Sequence, residues 1–248
     1  MWGKQQYIAI LSPAYAYQLA SRLQWYFAFC ALALLLPGLF VALKFSPPDY
    51  QQGDTVRLMY LHVPLAFASL LIYLFMSGWS LVYFVWHIKV ADAMAEVAAG
   101  IGAWCTLLCL ITGSLWGKPT WGTFWIWDAR LTSELILFFI YLGIIALRQS
   151  IAHVDSAGRV CSLMTLIGLV NIPIVHYSVV WWNTLHQGSS LSFTTSSIAW
   201  PLLKPLLLMM PGLFFLLLFA GCLGVRARLL ERESKAVWAR VIIGNSSG

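Results

Sequence analysis

Residues 121–143 read WGTFWIWDARLTSELILFFIYLG: tryptophans at 121, 125 and 127, then Asp128 and Arg130, then an apolar run that begins at Leu131. A run this apolar belongs in a helix buried in lipid or in a deep core. The aromatic head is poor both as lipid-facing helix and as soluble loop, so it reads as a segment at a membrane surface feeding a transmembrane helix. Two readings of the head stand open. It is an interfacial aromatic belt of the kind membrane proteins use routinely, or it is a flat apolar platform that gains from stacking on a planar partner. With Trp116 just upstream, the clustering of Trp121, Trp125 and Trp127 beside Asp128 and Arg130 favours the binding surface.

Composition agrees with a membrane setting. Of 248 residues 60% are hydrophobic and 10% charged, and the mean hydropathy is +0.79; soluble domains carry about 25% charge. Apolar stretches of about 20 residues predict an all-α, polytopic integral membrane protein of six transmembrane helices, near 23–43, 64–86, 97–116, 131–147, 160–182 and 206–225. The whole chain, 1–248, reads as one six-helix membrane domain. The net charge of +6 does not point to nucleic acid, because the basic residues gather at helix ends and in the tail and form no face interleaved with aromatics.

Local signals refine the spans. Pro64 is expected in the first turn of span two, where a missing N–H costs nothing. Asp128 stands where a carboxylate caps or approaches the start of span four. Ala95, Ala99 and Ala103 form a small-residue stripe that admits a neighbouring helix. Pro173, Pro205 and Pro211 imply kinks in or beside spans five and six, whose freed carbonyls need other partners. The first apolar run is long enough to span and lacks a small-residue cleavage site, so a retained N-terminus is expected.

Orientation follows from Lys and Arg, which accumulate in cytoplasmic loops. With both termini inside, the cytoplasmic side holds 10 basic residues and the outer side holds 5, namely Lys44, Arg57, Lys118, Arg130 and Lys204. Three loops then lie outside, 44–63, 117–130 and 183–205, with the tryptophans in the middle one. This topology sorts the histidines. His62 and His186 share the tryptophan side, whereas His87 and His153 fall in cytoplasmic loops as solvated surface. His176 lies within span five, roughly nine Å below its outer end at about 1.5 Å per residue. Intramembrane ionisable groups are functional candidates, but a packed, hydrogen-bonded histidine near Tyr177 and Ser178 is the favoured reading.

A lone loop histidine is ordinary polar surface. Two on one face, flanking an aromatic platform, point to a metal, since neutral imidazole is the commonest metal ligand and haem iron is held axially by such side chains within flat apolar contact. Arg130, Lys118 and Arg57 on the same side are candidate partners for propionates and equally candidate anchors for lipid phosphates. Cys30, Cys105, Cys109, Cys161 and Cys222 all fall in apolar spans, and neither C-x-x-C nor C-x-x-C-H occurs, so dithiol redox chemistry and c-type haem attachment have no motif here. There is no H-E-x-x-H zinc pattern and no P-loop, so any ATP use belongs to a partner.

The stretch from Trp121 onward, with LHVP at 61–64 and WWNTLHQG at 181–188, resembles the haem-handling membrane proteins that carry the tryptophan-rich WWD signature. Among these it is similar to the haem exporter protein C (CcmC) family of bacterial system I cytochrome c maturation, over essentially the whole chain. The resemblance implies a multi-pass protein of the bacterial inner membrane that binds haem b as cargo on the periplasmic side, with His62 and His186 as axial ligands. It implies that the WWD segment, 116–134, holds the porphyrin through Trp116, Trp121, Trp125, Trp127, Asp128 and Arg130. The implied partners are the membrane-anchored haem chaperone CcmE, which takes haem covalently through one of its own histidines, the ABC-type subunits CcmA and CcmB, and the small membrane protein CcmD. Such a chain presents haem to its partner and supplies no nucleophile, so no enzymatic activity is expected. The main alternative is a b-type cytochrome subunit for electron transfer. It would need histidine pairs deep in the bundle, where only His176 stands. A solute transporter would need broken helices or internal repeats, and the two halves show no convincing repeat.

Overall fold

The computed structural model describes residues 11–186 and 197–245. Among these the regular structure is helical, apart from one isolated β-bridge between Asp49 and Gly53. The helices are α1 (Pro13–Lys44), α2 (Met59–Trp86, preceded by a 3-10 turn Asp54–Leu58), α3 (Lys89–Trp121), α4 (Ala129–Ser150), α5 (Val154–Gly168), α6 (Asn171–Trp181), α7 (Trp200–Arg232) and the short α8 (Val237–Asn245). With α5 and α6 counted as one crossing, six segments are long and apolar enough to span a bilayer, and the protein is an all-α, multi-pass membrane protein.

The observed helices overrun the expected spans at nearly every end because hydrogen bonding continues past the hydrocarbon. At about 1.5 Å per residue, the 33 residues of α3 exceed a core about 30 Å thick. Two differences matter. The tryptophan loop shrinks to 122–128, since α3 continues through Trp116 to Trp121. Pro64 is not in a first turn: α2 begins at Met59, and Pro64 lies inside it. Pro173 does mark a break. Span five splits at Leu169 and Val170, where Val170 N–H donates to Ile167 O at 3.3 Å and Ile172 N–H to Leu169 O at 3.1 Å. The carbonyl that Pro173 leaves unmet is thus partnered locally. In α7, Pro205 and Pro211 are accommodated within one continuous helix.

Close packing centres on α3. Its alanine stripe, Ala95, Ala99 and Ala103, is buried against Tyr73 and Met76 of α2 and Leu137, Tyr141 and Ile144 of α4. Tyr141 lies so close over Gly102 that a Cβ there would come within 2.3 Å of its ring. Its hydroxyl crosses to Ser69 O at 2.9 Å, and Tyr73, 5.2 Å away ring to ring, donates to Thr165 O at 3.0 Å. Helix α1 packs mainly on α7 and turns Trp25, Phe29, Leu32, Leu36 and Phe40 outward, as a lipid-facing surface does. Successive crossings alternate direction. One end of the bundle therefore gathers the segment after α1, the α3–α4 loop and the chain after α6, and the other gathers the α2–α3 and α4–α5 junctions with α8.

Candidate functional site

The tryptophan end is organised around Asp128, which serves two helices at once. As N-cap of α4 its Oδ1 accepts from Leu131 N–H at 2.8 Å, meeting one of the donors that a helix start leaves free. Its Oδ2 lies 3.0 Å from His186 Nδ1, so the chain that leaves α6 is tied back to the start of α4. The pair is largely enclosed, with side-chain exposures of 8% for Asp128 and 20% for His186. Burial holds the His186 pKa below the ordinary histidine value; Asp128 acts in the opposite sense, and the positive charge of Arg130 adds to the lowering. The imidazole is therefore neutral at pH 7, its Nδ1–H donates to the carboxylate, and the Nε2 lone pair is free. This is the arrangement by which carboxylates orient metal-binding histidines. Trp121 stands edge-on to the ring, 4.6 Å away at 65°.

His62 arrives from the first turn of α2 and is fixed in the same sense by different partners. Its Nδ1 lies 3.1 Å from Cys109 O and 3.1 Å from Thr112 Oγ1 of α3. A backbone carbonyl only accepts, so Nδ1 carries the hydrogen and Nε2 is the open position of the neutral ring. The approach depends on Gly113: a Cβ there would stand 2.8 Å from His62 Cε1. Trp116 packs edge-on to His62 at 5.7 Å and 70° and donates its indole N–H to Gln52 Oε1 at 2.7 Å, which pins the segment after α1 over this end. His186 and Arg130 lie within electrostatic range of the His62 ring. Among the described residues no group of three or more His, Cys, Asp or Glu side chains is arranged for a metal ion. Two imidazoles with open Nε2 atoms suit a metal whose remaining positions arrive with its ligand.

The aromatic residues do not form the flat platform expected from sequence. Trp125 and Trp127 meet at 76° with centroids 5.4 Å apart, and Trp121 is tilted steeply against His186. Trp116 and Trp121 each buttress one histidine, whereas Trp127 is 77% exposed and faces outward beside the exposed Phe124. Trp125 Nε1 is buried without a hydrogen-bond partner among the described residues. The three candidate cations are occupied in the chain itself. Arg130 donates to Val175 O at 2.9 Å, Lys118 to Gly122 O at 2.9 Å while lying 5.2 Å over the Phe124 ring, and Arg57 reaches Ser46 O and pairs with Asp54 at 3.2 Å.

The remaining histidines sort differently. His87, in the left-handed C-cap of α2 at φ 55, and His153, at the start of α5, are exposed at the opposite end, as expected. His176 departs from expectation. It packs edge-on to Tyr177 at 4.7 Å but is exposed on the outer face of α6, with no hydrogen bond among the described residues. The cysteines are all free, and Cys105, Cys109 and Cys161 are buried. Sequence reading missed Cys109, Thr112 and Gly113 as supports of His62, and missed Gln52 and the buried Glu134. Only Glu134 left a signal, as a carboxylate inside an apolar run. Gln187 and Gly188 of the WWNTLHQG stretch lie outside the described residues.

The opposite end is ionic. Asp92 of α3 is gripped by Arg148 of α4 through contacts of 2.6 and 2.5 Å and by Arg232 of α7 at 2.9 Å. Glu96 pairs with Arg228 at 3.2 Å and with Arg232. A cavity of about 140 Å³ adjoins this network, lined by Asp92, Glu96, Arg148, Ser162 and Thr165 among others.

A family model described as Heme exporter protein C matches residues 6–240. The chain belongs to the Heme exporter protein C family. It is 42% identical to the Heme exporter protein C of Escherichia coli K12 over 245 residues, 98% of each chain. The Haemophilus influenzae protein of the same description is 42% identical over 231 residues, 93% of this chain and 94% of that one. A mitochondrial protein of Marchantia polymorpha, described as ccmC-like and concerned with cytochrome c biosynthesis, is 43% identical over 211 residues, 85% of this chain and 90% of that one.

Proposed function

We propose that this member of the Heme exporter protein C family binds haem b at the tryptophan end, with His62 and His186 as axial ligands through their Nε2 atoms, and passes it to the membrane-anchored chaperone CcmE. The observation that carries the reading is the matched pair of imidazoles: each has Nδ1 committed to an acceptor of the chain, Cys109 O or Asp128 Oδ2, and each leaves Nε2 open at the same end. The WWD segment, 116–134, is the cargo-handling part of the molecule. Trp116 and Trp121 hold the ligand rings in orientation and meet the porphyrin edge, Trp125 and the exposed Trp127 extend apolar surface outward to cargo and chaperone, and Asp128 and Arg130 fix the chain around them. The basic-residue asymmetry supports a periplasmic location for this end and cytoplasmic termini, and on this reading the protein sits in the bacterial inner membrane. CcmA, CcmB and CcmD complete the complex, and ATP hydrolysis belongs to the ABC-type pair. A site at the mouth of the bundle, partly built from loops, suits a protein that must release what it binds; the chain acts as a carrier and not as an enzyme.

The test is optical. His62→Ala and His186→Ala each shift the Soret band of the purified protein and weaken haem retention, and added imidazole partly restores the spectrum by filling the emptied position. His87→Ala and His153→Ala leave it unaltered. Unchanged spectra in both ligand variants would refute the assignment. Reporter fusions in 122–128 and at the C-terminus should read periplasmic and cytoplasmic respectively.

A further inference from the structure

Beneath the two histidines lies a carboxylate that neither the ligand set nor the ionic network uses. Glu134 faces inward from α4 and is 5% exposed. Its Oε1 is 2.8 Å from Ser69 Oγ of α2, and the Cys109 thiol of α3 meets it as a hydrogen-bonding neighbour. Among the described residues no cation forms an ion pair with it. Arg130, one turn earlier, acts on it only at a distance and directs a guanidinium N–H to Val175 O. A carboxylate placed in a membrane bundle without an ion-pair partner is costly, and such residues mark proton relays.

The hydrogen count at Ser69 shows how both protonation states are served. Ser69 Oγ carries one hydrogen and has two acceptors in reach, Ala66 O at 2.9 Å and Glu134 Oε1 at 2.8 Å. When the hydrogen goes to Glu134, the carboxylate is ionised and accepts. When it goes to Ala66 O, the contact with Glu134 requires a protonated acid that donates to Ser69 Oγ. Either state is hydrogen-bonded without displacement of a heavy atom. Upward from this point the contacts are continuous, because Cys109 O accepts from His62 Nδ1–H and Cys109 Sγ stands 3.9 Å from the same nitrogen.

We propose that Glu134 is a proton-binding site coupled to the charge of the iron held through His62, a proposal that rests on the axial-ligand reading above. Delivery of one electron to ferric haem by a one-electron reductant removes a positive charge from the iron. The Glu134 carboxylate then takes up one proton from solvent and becomes a neutral acid, and reoxidation of the iron releases that proton. The balance is Fe(III), one electron, one carboxylate and one proton giving Fe(II) and one carboxylic acid. Charges separated by a few residues in a low-dielectric interior interact strongly enough to link the two events. The ionisable groups facing Glu134 are Arg130 and Tyr141 on its own helix and Cys109 on α3, with Cys105 and Tyr73 adjoining Tyr141. Helix α6 meets α4 through Asn171 and Val175, neither of them ionisable.

The test is an optical redox titration of the haem-loaded full chain across pH. The midpoint potential of the unaltered protein falls as pH rises, with a slope approaching one proton per electron, and Glu134→Gln retains the bis-imidazole spectrum but flattens the slope to the residue contributed by the propionates. An unchanged slope in Glu134→Gln, or no slope in the unaltered protein, overturns the proposal. Should Glu134→Gln not retain haem, redox-induced infrared difference spectra decide. A carboxylic-acid carbonyl band appears on reduction of the unaltered protein and shifts in Glu134→Asp, and the lack of such a band overturns the proposal. Failure of the ligand reading is distinguishable, since it shows as an unaltered Soret band in His62→Ala and His186→Ala.

Discussion

At the end where α3 begins, Asp92 and Glu96 are enclosed by three guanidiniums drawn from α4 and α7, whereas at the tryptophan end the enclosed polar side chains are two imidazoles turned toward a carbonyl and a carboxylate. The first arrangement pairs each of these charges with an opposite one within the bundle. The second satisfies one nitrogen of each ring and leaves the other. Charge at one end locks helices together, and at the other one nitrogen of each ring is left for the proposed ligand. The same helices α3 and α4 run through both, so the ionic end is the fixed base from which the tryptophan end projects.

The sharpest way to break the comparison is to remove the centre of the ionic end. Asp92→Ala leaves Arg148 and Arg232 to share Glu96 in an enclosed site, and breaking buried pairs in this way costs up to about 3–5 kcal/mol. The expected outcome is a large fall in the thermal midpoint in detergent, with an unaltered haem spectrum in whatever fraction remains folded. A small shift in the midpoint would mean that water already screens the network.

Next in size is Asp128→Asn, which separates the two tasks of one side chain. Asparagine caps a helix about as well as aspartate, so α4 keeps its start and the fold loses little. The charged partner of His186 is lost, and removal of such a support typically lowers metal affinity 10–100-fold. The acid dependence has a definite sign. Because burial holds the His186 pKa below the ordinary value, its neutral form persists as pH falls through the usual histidine range. Ligation, and the stability tied to the neutral ring, are present above the unfolded value and lost only as pH falls through the lowered folded one. Asp128 favours the protonated ring, so Asp128→Asn moves that loss to still lower pH even as affinity at neutral pH drops. A haem-retention titration against pH checks both; a shift of the acid limb to higher pH would contradict the hydrogen-bond assignment.

A third test perturbs His62 without touching it. Gly113→Ala places a methyl group 2.8 Å from the His62 ring and should weaken haem retention several-fold with an altered Soret band. Gly143→Ala is the control: open space surrounds that position on α4, and relief of glycine's unfolded-state entropy stabilises by about 0.4–1 kcal/mol with no spectral change. Equal spectra for the two variants would mean that α2 and α3 are not in the close register described.

How much of this could be read from the chain follows from which interactions are local. Six crossings were legible because lipid imposes a length and a composition on each, and the cap at Asp128 was legible because capping is a matter of three residues. The pairing of His62 and His186 on one end came from counting crossings. The supports of His62 were not legible, since Cys109, Thr112 and Gly113 lie about fifty residues away and meet it only through the packing of α2 on α3. The helical continuation through Trp121 was hidden by Gly117 and Pro119, which read as loop but fit the last turns of α3. His176 misled because a position within a span does not say which face it occupies.

The smallest effects sharpen the comparison within the tryptophan end itself. Trp121 leans on His186, whereas the ring contact of Trp127 among the described residues is with Trp125, so the two indoles should fail differently. Aromatic contacts of this kind are worth about 0.5–1.5 kcal/mol beyond burial, so Trp121→Ala should weaken haem retention by about two- to tenfold, with most of the loss in the off-rate. Trp127→Ala removes a ring that is 77% exposed, and haem retention should stay near that of the unaltered protein. What falls is transfer, measured as the covalent haem band on the chaperone in a denaturing gel, because the outward ring is surface offered to a partner. If Trp127→Ala lost haem as readily as Trp121→Ala, both indoles would belong to one cargo pocket, and the division between buttressing and outward-facing tryptophans would have to be abandoned.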